Sequence, residues 1–203
     1  ELENNPGVDV VRAVTWAKKG CDLGSARACV EWGRYFTFGV GVAKDHKKAN
    51  ALYEKACDGG EMYGCFNLAD SYFFGRGLVK DIELSKGLHR RACEGKFPAS
   101  CHRLGDWIFR GRHGFKKDPA RARTLMQTAC SSGKYAESCH YLGVLLSEGW
   151  GGPKDVKKAA GLFHLACNQR VAEGCASMGL SFARGQGVEK SMKYAMVTIK
   201  PKF

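Results

Sequence analysis

The stretch from Ala56 to Cys65, ACDGGEMYGC, sets two cysteines eight positions apart with Gly59 and Gly60 between them. The pair recurs. Cys21/Cys29, Cys57/Cys65, Cys93/Cys101, Cys130/Cys139 and Cys167/Cys175 use all ten cysteines of the 203-residue chain. The first cysteines of successive pairs stand 36, 36, 37 and 37 residues apart. Self-similarity at such a period marks a solenoid, an array of small units that each bury their apolar face on a neighbour.

Other columns keep the register. Ten residues after each second cysteine comes a glycine: Gly39, Gly75, Gly111, Gly149 and Gly185. A loop follows, GVGVAKD, GRGLVKD, GRHGFKKD, GWGGPKD and, weakened, GQGVEKS. Asp45, Asp81, Asp118 and Asp155 each precede an amphipathic run, where an N-cap carboxylate accepts orphan helix N–H groups. Counted from the second cysteine, positions +3 and +7 are apolar or aromatic, as in Trp32/Phe36 and Leu142/Leu146. Position +4 is always small: Gly33, Ala69, Gly105, Gly143, Gly179. Glycine inside a helix costs roughly 1 kcal/mol against alanine, so this column predicts close approach of another helix. A second helix runs up to the next first cysteine, with alanine before it (Ala56, Ala92, Ala129, Ala166) and leucine five before it (Leu52, Leu88, Leu125, Leu162). Each unit thus reads helix A, glycine loop, helix B.

Composition fits a folded chain, 44% hydrophobic and 26% charged. No apolar run approaches the ~20 residues of a membrane helix, and no signal-peptide pattern is present. The chain begins at Glu1 rather than Met, so the lack of a leader pattern carries no information on compartment. A formal charge of +12 suits an acidic partner or surface, or a solubilising face.

The order of small-apolar LG, Y/F, G-x-G-V, K-D, K-A and Y-x-K-A-C-x-x-G resembles the Sel1-like repeat, a relative of the tetratricopeptide repeat. The paired cysteines make it similar to the cysteine-rich subgroup typified by the Helicobacter cysteine-rich proteins. The resemblance runs from about Val8 to Tyr194 and departs from pattern at Ser191, where aspartate is expected. It implies an all-α, right-handed α/α solenoid of about five helix-turn-helix repeats. Residues 1–24 read as an N-terminal segment with helix B of a partial repeat, 25–190 as the solenoid, and 191–203 as a C-terminal capping segment.

On one straight helix Cys57 and Cys65 would stand about 12 Å apart, whereas a disulfide needs Cα atoms within ~7 Å. The intervening glycines break the helix, so the chain turns back and the sulfurs meet. The repeat selects the sequential pairing, and each bond ties the end of a helix B to the next helix A. Zinc is disfavoured, because it prefers C-x2–4-C spacing and four convergent ligands. The C-x-x-C-H motif of c-type haem is absent. No cofactor is expected.

Cysteine-rich relatives imply a second reading, a weak β-lactamase or penicillin-binding protein, which needs an activated serine, usually in S-x-x-K. One match exists, Ser131-Ser132-Gly133-Lys134, in the turn between Cys130 and Cys139 and without S-D-N or K-T-G. His102 and His140 share a column with Val30, Phe66 and Ala176 and read as helix-surface residues. His89 stands where other repeats have Tyr53, Met126 and Phe163, a core position. The expectation is a binding protein rather than an enzyme.

In tetratricopeptide-like arrays helix A lines the concave face. The columns free to vary are +1, +2, +5, +8 and +9. They supply Arg34, Phe38, Phe66, Asn67, Asp70, Phe73, His102, Arg103, Asp106, Arg110 and Tyr141 as candidate partner-binding residues. Aromatics interleaved with arginine and aspartate are typical of protein-recognition hot spots. Lys44, Lys47, Lys48, Lys116, Lys117, Lys154, Lys157 and Lys158, with Arg112, Arg121 and Arg123, predict a basic loop edge open to an acidic surface. Disulfides imply a periplasmic or secreted protein and argue against nucleic acid. The family resemblance implies a concrete version, an immunity or inhibitor partner of a secreted effector such as a phospholipase.

Overall fold

The computed structural model describes residues 6–133 and 135–199. Among them are eleven helices and no strand: α1 (Pro6–Asp22), α2 (Ala26–Phe38), α3 (His46–Asp58), α4 (Met62–Phe74), α5 (Ile82–Glu94), α6 (Pro98–Arg110), α7 (Pro119–Ser131), α8 (Ala136–Glu148), α9 (Val156–Asn168), α10 (Ala172–Arg184) and α11 (Met192–Ile199). The even-numbered helices to α10 are the A helices and the odd-numbered ones the B helices. Residues 200–203 of the expected capping segment lie outside the described residues.

The expected starts are observed. Asp45, Asp81, Asp118 and Asp155 each accept a backbone N–H three residues on, from Lys48, Leu84, Arg121 and Lys158, at 2.9–3.0 Å. Where Ser191 replaces aspartate, its hydroxyl still accepts from Tyr194 N, at a longer 3.4 Å. The A helices α2, α4, α8 and α10 end on a left-handed glycine, Gly39, Gly75, Gly149 and Gly185. The second glycine of the G-x-G loop has a separate reason. At Gly77 (φ 70°) a Cβ would stand 2.7 Å from the His46 carbonyl carbon, and at Gly151 (φ 76°) 2.3 Å from the Pro119 oxygen. The loop therefore lies directly on the first turn of the preceding repeat's B helix, and only glycine fits.

The chain divides into two compact units, Glu1–Ser100 and Cys101–Phe203. In the first, α1 packs on α2, α2 on α3, α3 on α4 and α4 on α5, and the A helices α2 and α4 also touch. Val30, Leu52, Tyr53, Ala56 and Leu68 form its core with Cys21 and Cys29. A smaller apolar cluster of Cys57, Cys65 and Ala92 is covered by Met62, Leu88 and Phe97. The second unit repeats the scheme from α7 to α11, with Met126, Leu142, Leu146, Phe163 and Met178 at its centre.

Within these cores the small +4 column meets the large column four residues before each first cysteine. A Cβ on Gly33 would lie 2.7 Å from the Tyr53 ring, on Gly105 3.0 Å from Met126 Cε, and on Gly143 2.6 Å from the Phe163 ring. In these three repeats the A and B helices approach closely because one side offers no side chain and the other a bulky one.

Four cysteine pairs close the turn from a B helix into the next A helix. Cys21–Cys29, Cys57–Cys65, Cys130–Cys139 and Cys167–Cys175 are bonded, with Cα atoms 4.4–4.7 Å apart. No described cysteine is free, Cys93 and Cys101 included. None of the described helices is long and apolar enough to cross a membrane.

Candidate functional site

Five of the predicted residues come together in the second unit. His102, Arg103, Asp106 and Arg110 from α6 and Tyr141 from α8 line one open depression of about 380 Å³, completed by Arg112 and Tyr135. Successive A helices place them. Columns +1, +2, +5 and +9 fall on one helical face, and α8 presents its +2 residue to the same hollow. A smaller depression of about 150 Å³ lies one repeat on. Glu148, Leu180 and Arg184 line it from columns +5 and +9, with Ser147 from column +8.

Aromatic packing holds the depression in shape. His102 donates or accepts through Nδ1 to Ser138 Oγ at 2.9 Å, and its ring stands 5.1 Å from Tyr135 and 5.3 Å from Tyr141. Burial holds its pKa below the ordinary 6.5, which Asp106 and Glu137 oppose and Arg103 reinforces. His140 repeats the device one repeat later. Its Nε2 lies 3.1 Å from Ser177 Oγ, and burial likewise lowers its pKa. Both histidines are half-buried members of an interhelical hydrogen-bonded column, not the surface residues the sequence suggested, because the serine of the next A helix comes up against each. Arg110 is bonded through Nε to Asp106, and that bond with its charge raises the Arg110 pKa.

The first unit holds the other candidates in two settings. Phe66 is enclosed by rings: Phe97 at 5.3 Å, His89 at 5.6 Å and Tyr63 at 6.3 Å. Asp70 Oδ1 lies 3.5 Å from Nε2 of fully buried His89, whose Nδ1 faces Ser100 Oγ at 3.2 Å. Asn67 buries its Nδ2 with no hydrogen-bond acceptor. These groups lean inward. Arg34 and Phe38 are more open: Arg34 pairs with Glu31 at 2.9 Å and Phe38 is 67% exposed, while half-buried Phe73 stacks edge-on to Phe74 with Lys80 over its ring.

Two lining residues escaped the partner-binding set. Arg112 was read as part of the basic loop edge. Tyr135 sits four before Cys139, a column whose other members are Ser25, Glu61, Phe97 and Val171. That free variation is the signal that marks it.

Ser131 ends α7, and its hydroxyl donates to Thr128 O at 2.9 Å. Its S-x-x-K partner Lys134 lies outside the described residues. Among the described residues no group of three or more His, Cys, Asp or Glu is placed to hold a metal ion. Lys44, Lys47, Lys116, Lys117, Lys154 and Lys157 are exposed on the loops and the B-helix starts.

Comparison with known proteins follows the same period. The Sel1 repeat matches six stretches, residues 6–25, 26–61, 63–97, 98–134, 136–171 and 172–196. A Sel1 repeat protein from Oxalobacter formigenes is similar at 28% identity over 87% of this chain and 71% of its own, with a TM-score of 0.77. Helicobacter pylori cysteine rich protein B shares 30% identity over 65% of this chain and 93% of its own, with a TM-score of 0.51. An immunity protein from Pseudomonas aeruginosa shares the fold at 18% identity, over 93% of this chain and 72% of its own, with a TM-score of 0.57. No curated protein sequence matches the chain. Sel1 repeats form a protein-interaction fold, and with six of them running nearly end to end this chain belongs to the Sel1 repeat family.

Proposed function

We propose that this protein is an extracytoplasmic binding module that holds a partner protein on its A-helix face. The observation that carries the reading is the depression between α6 and α8, where freely varying columns set His102, Arg103, Asp106, Arg110 and Tyr141 around one hollow. Arg34, Phe38 and Phe73 extend the contact surface in the first unit. Phe66, Asn67 and Asp70 contribute mainly by positioning their neighbours. The disulfides support an oxidising compartment, periplasmic or secreted. Likeness in fold to an immunity protein supports the finer version, an inhibitor partner of a secreted effector. α11 packs on α10, with the Tyr194 ring 5.4 Å from Phe182, which supports reading it as a capping helix.

A photo-crosslinking side chain at Tyr141, used in the native envelope, is expected to capture a discrete partner that the same group at exposed Leu165 on α9 does not. Capture only from Leu165 overturns the placement. Nitrocefin hydrolysis with Ser131→Ala as control tests the catalytic alternative. Turnover lost in that variant overturns the reading as a pure binding module.

A further inference from the structure

We infer that the depression of the second unit takes a carboxylate-bearing segment of the partner, an acidic stretch of polypeptide. This rests on the protein-binding reading and adds the chemistry of the occupant. The lining carries Arg103, Arg110 and Arg112 with one carboxylate, Asp106. Arginine forks match a carboxylate in two parallel hydrogen bonds. Arg110 is already oriented by Asp106. Arg112, exposed on the loop after α6, has no carboxylate partner among the described residues.

Three of the seven lining residues carry rings. Tyr135 and Tyr141 flank His102 at 5.1 and 5.3 Å, and they give apolar contact and hydroxyls at small entropy cost. A hollow of about 380 Å³ accepts one or two side chains of a peptide. Asp106 inside it repels a phosphate dianion more than a carboxylate and offers an acceptor to peptide N–H groups. The loop lysines lie outside the depression. They attract an acidic partner from a distance without selecting its seat.

Fluorescence anisotropy on the full, disulfide-intact chain tests this, with fluorescein-labelled hexaglutamate as probe and hexaglutamine as comparator. At about 150 mM salt the Debye length is ~8 Å, which suppresses diffuse attraction. Hexaglutamate is expected to bind saturably and hexaglutamine not. Arg112→Gln is expected to weaken binding about tenfold, or about 1.4 kcal/mol. Lys157→Gln, which removes the same charge elsewhere, is expected to change it less than about twofold. Arg112 is exposed on a loop, so its variant should keep the wild-type circular dichroism melt.

Absence of saturable hexaglutamate binding overturns the inference. So does equal loss in the two variants, or displacement by inorganic phosphate as readily as by succinate, which marks an unselective anion site. Failure of hexaglutamate with partner capture at Tyr141 removes only the carboxylate chemistry. Hexaglutamate binding with capture solely from Leu165 removes the protein-binding placement.

Discussion

At the scale of single residues, the fold is governed by small side chains opposite large ones. In the second repeat Ala69 replaces the glycine and His89 the bulky apolar residue, and the same register then buries an imidazole beside Asp70 and Ser100. The column predicts two glycine substitutions of opposite sign. Gly143→Ala drives a methyl to 2.6 Å from the ring of buried Phe163, whereas Gly161 in α9 has nothing within 4 Å of its Cβ position. Overpacking costs about 1–3 kcal/mol and helix propensity returns at most about 1. Urea melts should therefore show Gly143→Ala less stable and Gly161→Ala more stable, by about 0.5–1 kcal/mol. If both stabilise, the close approach is not enforced. His102 and His140 give a pH test. Burial lowers their folded pKa values below the unfolded 6.5. The unfolded chain then binds more protons, so stability is full above 6.5 and is lost as pH falls from there through the lower folded values. A double His102→Gln, His140→Gln variant should lose less melting temperature than the wild type between about pH 7 and about pH 5. An unchanged pH slope would place the titrating groups elsewhere.

At the scale of elements, each helix is 13 residues from α2 to α10, too short to be stable alone in water. Caps and neighbours hold it. Asp81 accepts the Leu84 N–H at 2.9 Å, and Asp81→Ala should cost about 1 kcal/mol in a thermal or urea melt. Asp81→Asn, which keeps the acceptor, should cost far less. Cations tie consecutive repeats in the first unit: Lys55 Nζ donates to Cys21 O at 3.1 Å, and Arg91 donates to Cys57 O at 2.8 Å while pairing with Asp58. Thr128 and Leu165 stand in that column later and carry no cation, and the Thr128 hydroxyl donates to Thr124 O in its own helix. At the A-helix starts a different exchange occurs. Ser25 and Glu61 cap their helices through side chains, whereas Tyr135 makes no cap bond and turns its ring to His102. The site is built where the local rule for helix starts is given up.

At the scale of the whole molecule, stability is a sum of repeats and of interfaces between neighbours. A bond closing a loop of eight or nine residues contributes about 2–3 kcal/mol by the chain-entropy relation. Replacing Cys57 and Cys65 by alanine should lower the melting temperature more than replacing Cys21 and Cys29, because the interior turn has a repeat on each side. Equal or reversed shifts would reject that order. The helix pairs, the Asp caps, the sequential disulfides and the tight A–B approach were all determined by the sequence itself. They are local or recur at one period, so five copies averaged out the accidents of each. The varying columns share one side of each A helix, since periodicity alone decides which positions lie together on a helix. What the tertiary structure decided is the partner of each varying residue. Nothing in columns +1 and +5 says that Phe66 and Asp70 are drawn against His89 while His102 and Asp106 line an open hollow. The residues that decide it, Ser100, Ser138 and Tyr135, stand 11 to 36 positions away in sequence and reach their neighbours only when successive helices stack. Arg112 likewise reads as loop charge until the turn after α6 folds it over the hollow that Tyr141 lines from α8.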